Sequence, residues 1–281
     1  MVNFNGKILE ENTTISIHNR AYAYGDALFE TLKYVGGSIL FWEDHYFRLM
    51  ASMRIMRMEI PMNFTMEFLD EQIKETLSAN GLIDKTARVK LTVFRTEGGL
   101  YLPTQNTVSY TITVKHLNSA AYTLQDSVYE VDLFKDHYVA PTLLSTLKTN
   151  NKAINVIASI YANENKLQNC LLLNTEKQVV EALNGNIFVV KDNHVKTPLL
   201  TDGALKGVMR TQILRILNTL EGYSIVEEHL SPFELQKADE LFITNVVSGI
   251  ISISQYRKKA YGNTLAKLLV ERLNETLGQQ V

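Results

Sequence analysis

Leu147-Lys148-Thr149-Asn150-Asn151-Lys152 is the stretch on which the architecture turns. On its N-terminal side Val128-Tyr129-Glu130-Val131-Asp132-Leu133 alternates and predicts a strand. On its C-terminal side Lys152 to Asn165 predicts a helix with Ile154, Val156, Ile157, Ile160 and Tyr161 facing inward. One lysine in a small polar run therefore stands at a strand-to-helix junction.

The surrounding chain has 281 residues, 46% hydrophobic and 21% charged, with a formal net charge of -2, which excludes disordered and collagen-like order. That length suits two domains, and we expect 1–117 as a smaller α/β domain, 118–123 as a linker beginning at Asn118-Ser119-Ala120-Ala121, and 124–281 as a larger domain. No basic cluster is longer than Arg257-Lys258-Lys259, so neither nucleic acid nor an anionic membrane is an expected partner, and small molecules are. Cys170 is the only cysteine, which suits a reducing compartment. Met1 to Lys7 lacks a signal-peptide pattern and no apolar run approaches a membrane span, so the expected location is cytoplasmic.

In the first half Asn5-Gly6 predicts a tight hairpin, and Phe29 to Tyr34, followed past Gly36-Gly37 by Ile39-Leu40-Phe41-Trp42, a second one. Glu43 to Met58 and Phe64 to Ala79 read as amphipathic helices, and Ala87 to Arg95 and Val108 to Leu117 as a long hairpin. In the second half Leu171-Leu172-Leu173, Ile187 to Val190 and Leu241-Phe242-Ile243 are short apolar strands, with helices at about Val208 to Thr219 and Gly262 to Leu277. The pattern is α+β, a mixed α/β arrangement with mixed sheets.

No G-x-G-x-x-G follows a strand, and no Walker loop, H-E-x-x-H, paired C-x-x-C or G-x-S-x-G occurs. The six histidines are dispersed without metal spacing. Taken singly, Lys148 reads as an exposed lysine at a helix start, Glu181 as a solvated strand-edge carboxylate and Gly207 as a turn residue. Arg48 reads as one more cation on a polar helix face.

Taken in order, the motifs resemble the fold-type IV pyridoxal phosphate enzymes: branched-chain aminotransferases, D-amino acid aminotransferases and aminodeoxychorismate lyases. The resemblance runs through Arg20 to Thr31, similar to R-x-x-x-Y-G-D-x-x-F-E, and Asp44-His45-Tyr46-Phe47-Arg48-Leu49, similar to E-H-x-x-R-L. It continues through Lys148-Thr149-Asn150-Asn151, Glu181 to Phe188, Thr197-Pro198, Gly207-Val208-Met209-Arg210 and Ala238 to Phe242. It implies a two-domain, D-amino acid aminotransferase-like fold, a homodimer and pyridoxal 5'-phosphate as cofactor.

The resemblance also implies roles. Lys148 matches the catalytic lysine that holds the cofactor as a Schiff base, and Glu181 the carboxylate that pairs with the pyridine nitrogen. Arg48, with the backbone N–H groups of Gly207, Val208 and Met209, matches the phosphate site. Asn186, Thr244 and Asn245 complete the expected cofactor set. Tyr24, Phe29, Thr31, Arg95 and Lys152 fall on the substrate side.

Among the family's members, the D-amino acid enzymes carry Arg and His where this chain has Leu100 and Leu102, and the branched-chain enzymes an Arg-Pro pair where it has Arg95-Thr96. Phe94-Arg95-Thr96-Glu97-Gly98-Gly99-Leu100-Tyr101 is more similar to the lyases' R-G-x-G-G-R-G-Y. The expected activity is therefore that of an aminodeoxychorismate lyase, releasing p-aminobenzoate and pyruvate and belonging to folate synthesis. The alternative is an aminotransferase acting between a branched-chain L- or D-amino acid and a 2-keto acid.

Overall fold

The computed structural model describes residues 1–125 and 127–278. The described chain divides into two units, Met1–Ala120 together with Lys148–Asn151, and Ala121–Leu147 together with Lys152–Gly278.

In the first unit β1 (Val2–Phe4) and β2 (Lys7–Leu9) form a hairpin. Asn5 and Gly6 at its tip both take positive φ, as the tight turn demands. After the short helix α1 (Arg20–Tyr24) come β3 (Ala27–Val35) and β4 (Ser38–Ile39), then helices α2 (Trp42–Ile55) and α3 (Met66–Ala79), and finally β5 (Ala87–Arg95) and β6 (Val108–His116). The second hairpin is shorter than its sequence suggests, because Phe41 turns into the left-handed region and Trp42 already opens α2. The sheet is antiparallel, in the order β2-β1-β6-β5-β3-β4.

Strand alternation gives this sheet two different faces. Leu28, Leu32, Val89, Leu91, Val93 and Ile112 are buried, as are Leu49 and Met53 of α2 and Leu69, Ile73 and Leu77 of α3. The register puts Phe29, Thr31 and Lys33 of β3 opposite Thr92, Lys90 and Arg88 of β5 on the other face, which is mostly polar.

Lys148–Asn151 joins this unit by backbone pairing, although the sequence reading assigned it to the later domain. The Phe29 N–H donates to the Lys148 carbonyl at 2.9 Å, and the Asn150 N–H to the Ala27 carbonyl at 3.0 Å. Leu28 and Thr149 form the antiparallel bridge between them. A short polar run has no hydrophobic period to reveal such a strand-like attachment.

The second unit contains β7 (Glu130–Val139), α4 (Ala153–Glu164), β8 (Asn169–Asn174), β9 (Val179–Ala182), β10 (Asn186–Lys191), β11 (His194–Thr197), α5 (Val208–Leu217), β12 (Ser224–Glu227), α6 (Pro232–Lys237), β13 (Glu240–Asn245), β14 (Gly249–Ile253), β15 (Gln255–Tyr256), β16 (Lys259–Ala260) and α7 (Thr264–Gly278). Among the described residues they make two sheets, β12-β11-β10-β13-β14 and β16-β15-β7-β8-β9. Both mix parallel and antiparallel pairs.

The sheets share one core, in which Val131, Leu133, Leu171 and Val179 of one meet Ile187, Val189, Leu241 and Ile243 of the other. Residues of even number, Phe134, Cys170, Leu172 and Val180, point to the opposite face and pack on Ala158 and Ala162 of α4. The inward face of α4 is thus Ile154, Ala158, Tyr161 and Ala162, at helical spacing. Val156, Ile157 and Ile160, expected to face inward, are 57%, 42% and 53% exposed. The helix is apolar on more than one side, and periodicity alone does not tell which side meets the unit's own sheet.

Candidate active site

In the first unit the side chain of Lys148 lies over Phe29, its Nζ 4.6 Å from the ring centroid. The half-buried lysine is held there by the pairing of its backbone with β3. Thr31, one strand repeat beyond Phe29, shares its face.

On the helix side of the same strand lies an ion cluster that sequence reading did not anticipate. Glu30 sits between Leu28 and Leu32 on the apolar face, where an unpaired carboxylate is too costly to persist. Arg48 of α2 meets it in bidentate fashion, with Nε donating to Oε1 at 2.8 Å and Nη2 to Oε2. His45 Nδ1 lies 2.7 Å from Glu30 Oε2. Burial works to raise the Glu30 carboxyl, but the Arg48 charge and the His45 and Arg48 hydrogen bonds outweigh it and hold the group near about 2. His45 is also lowered from its ordinary value, first by burial, with the Arg48 and Lys148 charges adding to it against the pull of Glu30. Neutral His45 donates through Nδ1, which leaves Nε2 a buried acceptor with no partner among the described residues. A carboxylate flanked by leucines in an alternating strand is itself the legible signal for a paired group.

Arg95 does not serve as a substrate-side cation. It is buried, and its five N–H donors are spent within the unit: Nε on Asp26 at 2.9 Å, Nη1 on the Arg57 carbonyl and Asn106 Oδ1, Nη2 on the Met56 carbonyl and Asp26 Oδ1. Arg20 shares Asp26, donating from Nε at 2.9 Å, and spends its other nitrogens on the carbonyls of Gly98, Leu100 and Tyr101. Asp26 thus ties two buried arginines together, and one of them clamps the loop that follows β5. In that loop Gly98 and Gly99 take φ of 121° and 74°, and a Cβ would fall 2.2 Å from Thr104 Oγ1 and 2.1 Å from the Leu102 carbonyl oxygen respectively. Leu100 and Leu102 are 76% and 84% exposed. Tyr24, at the end of α1, packs on Tyr101 with ring centroids 5.7 Å apart.

In the second unit Glu181 lies on β9, buried, and its Oε2 accepts the Leu205 N–H at 3.1 Å. The following residues lead into α5, whose N-cap is Gly207 with no side chain over the first turn. By contrast, α7 receives the Glu240 carboxylate on the N–H groups of Leu265 and Ala266. Gly207 is pressed against Asn186, since a Cβ there would lie 2.0 Å from Asn186 Oδ1. Asn186 Nδ2 donates to the Leu205 carbonyl at 2.8 Å. Its cross-strand partner is Thr244 on β13, whose buried Oγ1 has no partner among the described residues. Asn245 closes the next turn, accepting the N–H groups of Val247 and Ser248. Lys152 is the N-cap residue of α4.

An open helix N-terminus with a glycine approach and an orphaned buried hydroxyl close by is a seat for a phosphate group. In the same unit Glu181, whose carboxylate accepts the Leu205 N–H, offers the acidic group that a pyridine nitrogen pairs with, so these donors fit pyridoxal phosphate. No group of His, Cys, Asp and Glu side chains among the described residues is arranged to hold a metal ion.

The amino-transferase class IV family model matches residues 27–256, and the chain belongs to that family. It is an enzyme of the class, with pyridoxal 5'-phosphate as its cofactor. A Methanocaldococcus jannaschii protein provisionally named branched-chain-amino-acid aminotransferase is 29% identical over 96% of this chain and 93% of its own. The aminodeoxychorismate lyase of Vibrio harveyi is 27% identical over 86% of this chain and 87% of its own. The fold is that of a branched-chain aminotransferase from Thermoproteus uzoniensis solved with norvaline, with a TM-score of 0.86 at 22% identity over 97% of this chain and 93% of that one.

Proposed function

We propose that the protein is a 4-amino-4-deoxychorismate lyase. The observation that carries the reading is the loop after β5. The lyase-like Arg95-x-x-Gly98-Gly99 stretch is built on two glycines in conformations that exclude a side chain, and Arg20 holds its backbone. Leucines 100 and 102 stand where D-amino acid aminotransferases carry a cationic carboxylate trap. The likeness to the Vibrio harveyi lyase supports the same reading.

Pyridoxal phosphate, when bound, supplies the electron sink for a carbanion at the carbon bearing the substrate nitrogen. Lys148 would hold the cofactor and move the proton at that carbon, and Glu181 would keep negative charge at the ring nitrogen. Val208, Met209 and the open turn of α5, with Thr244 Oγ1 and Asn186, would receive the phosphate. Loss of the ring proton and departure of the enolpyruvyl group give p-aminobenzoate and pyruvate, with no second substrate. We further infer a cytoplasmic homodimer acting in folate synthesis.

The similarity to the Methanocaldococcus jannaschii protein favours a second reading, amino transfer to a 2-keto acid. Incubating the cofactor-loaded protein with aminodeoxychorismate and no keto acid separates the two. Continuing, equal release of pyruvate and p-aminobenzoate is the expected result. An intact cofactor band with no release would overturn the lyase reading in favour of transfer.

A further inference from the structure

Lys90 stands on the sheet face that carries Phe29 and Thr31, directly across from Thr31 in the β3–β5 register. Its Nζ is 5.0 Å from the centroid of Phe29, the same ring that Lys148 Nζ approaches at 4.6 Å. Two ammonium groups on one aromatic ring repel each other, so the ring alone does not account for both. Lys148 belongs to the chemistry already described. Lys90 does not.

Lys90 has no carboxylate within ion-pair distance among the described residues, unlike the buried cations Arg20, Arg48 and Arg95 of the same unit. Burial lowers its ammonium below the ordinary lysine value, and the charge that adds to this is another cation, Arg88. The neighbours on its face are Phe29, the cations Lys33 and Arg88, and the uncharged hydroxyls of Thr31, Thr92 and, on β6, Thr111 and Thr113. A half-buried cation with only cations, hydroxyls and an aromatic ring around it attracts an anion from outside the protein. The obvious protein candidate for holding a substrate carboxylate, Arg95, has no donor left.

We propose that Lys90 is a specificity-determining residue that receives a carboxylate of the substrate, the six-membered ring of which lies along Phe29 with its amine toward Lys148 and its ring carboxylate toward Lys90. Both nitrogens lie within 5.0 Å of the centroid of a single benzene ring, a separation that one small cyclic molecule can bridge. The chemical class selected is a ring with an amine and a carboxylate at opposite ends. This rests on the lyase reading for the identity of the substrate, but the carboxylate site itself does not depend on turnover.

The test uses the cofactor-loaded protein and two probes, p-aminobenzoate and aniline, which differ only in the carboxylate. Calorimetric titration is expected to show p-aminobenzoate binding at least tenfold more tightly than aniline. In Lys90→Met the two bind within about twofold of each other, with the cofactor absorption band unchanged, and Lys90→Arg restores the preference. Lys90→Gln serves as a second neutral variant should the methionine fail to fold. A tenfold preference retained by a neutral variant, or no preference in the parent, would overturn the assignment. If the parent turns over aminodeoxychorismate while kcat/KM survives in Lys90→Met, this inference fails and the lyase reading stands. If the parent shows no turnover yet loses its carboxylate preference with Lys90, the reverse holds.

Discussion

At Glu30 burial and charge pull in opposite directions, and charge wins. Desolvation alone would raise its carboxyl, yet the net position is near about 2 against a starting value of 4.5, because Arg48 and His45 oppose it. Folding therefore lowers this pKa, so the ionised form stabilises the fold fully above pH 4.5, and that contribution drains away as the pH falls through about 2. Urea denaturation as a function of pH is expected to show a loss across this window that is absent in Glu30→Gln. The same variant leaves the Arg48 guanidinium buried without its counter-ion and should unfold about 3 kcal/mol more easily at pH 7. Equal midpoints for the two proteins would show that the pair contributes nothing.

At this scale legibility was uneven. Lys148, Glu181 and Gly207 draw notice only by the order in which they occur, and the want of room beside Asn186 that suits position 207 to glycine cannot be read from the sequence. The spent state of Arg95 was hidden, since a guanidinium reads as a free cation until Asp26, Asn106 and two carbonyls are seen around it.

Among elements, α5 is defined as much by what is missing as by what is present. Gly207 places no side chain over the first turn, and its backbone runs against Asn186. Gly207→Ala puts a methyl group 2.0 Å from Asn186 Oδ1, so either the strand side chain or the helix start must shift. Titration of the apo protein with pyridoxal phosphate, followed by absorbance, should give affinity at least tenfold weaker, about 1.4 kcal/mol. Unaltered affinity would remove the α5 turn from the phosphate seat. Element identity was readable wherever one face is buried and the other is not: β5 falls at Ala87–Arg95, as its alternation predicts. In α4 the same rule misassigned three side chains, because Ile154 and Ile157 are equally apolar and only the packing partner distinguishes them.

For the whole molecule the exposed apolar side chains of the second unit have a common consequence. Leu143, Leu144, Val156, Ile157 and Ile160 remain uncovered within a single chain. Their clustering in sequence around the start of α4 is what a subunit contact requires. Light scattering is expected to give twice the 31.9 kDa chain mass, and Ile157→Glu with Ile160→Glu to reduce it toward one chain. A parent protein of single-chain mass would rule out the homodimer. The return of Lys148–Asn151 to the first unit was not legible, because a short polar run carries no hydrophobic period.

That return also sets an order of events during synthesis. When the ribosome has made Met1–Ala120, the first sheet still lacks the segment that lies along Ala27–Phe29, and the reactive lysine has not been translated. The early half of the protein must therefore wait, with that edge of β3 open, for about thirty further residues, some ~2–6 s of elongation. Exposed strand edges invite pairing with the wrong partner during such a delay. For the same reason no single cut separates the units into two complete pieces: a fragment ending at Ala120 is a sheet without its last edge and without its amine.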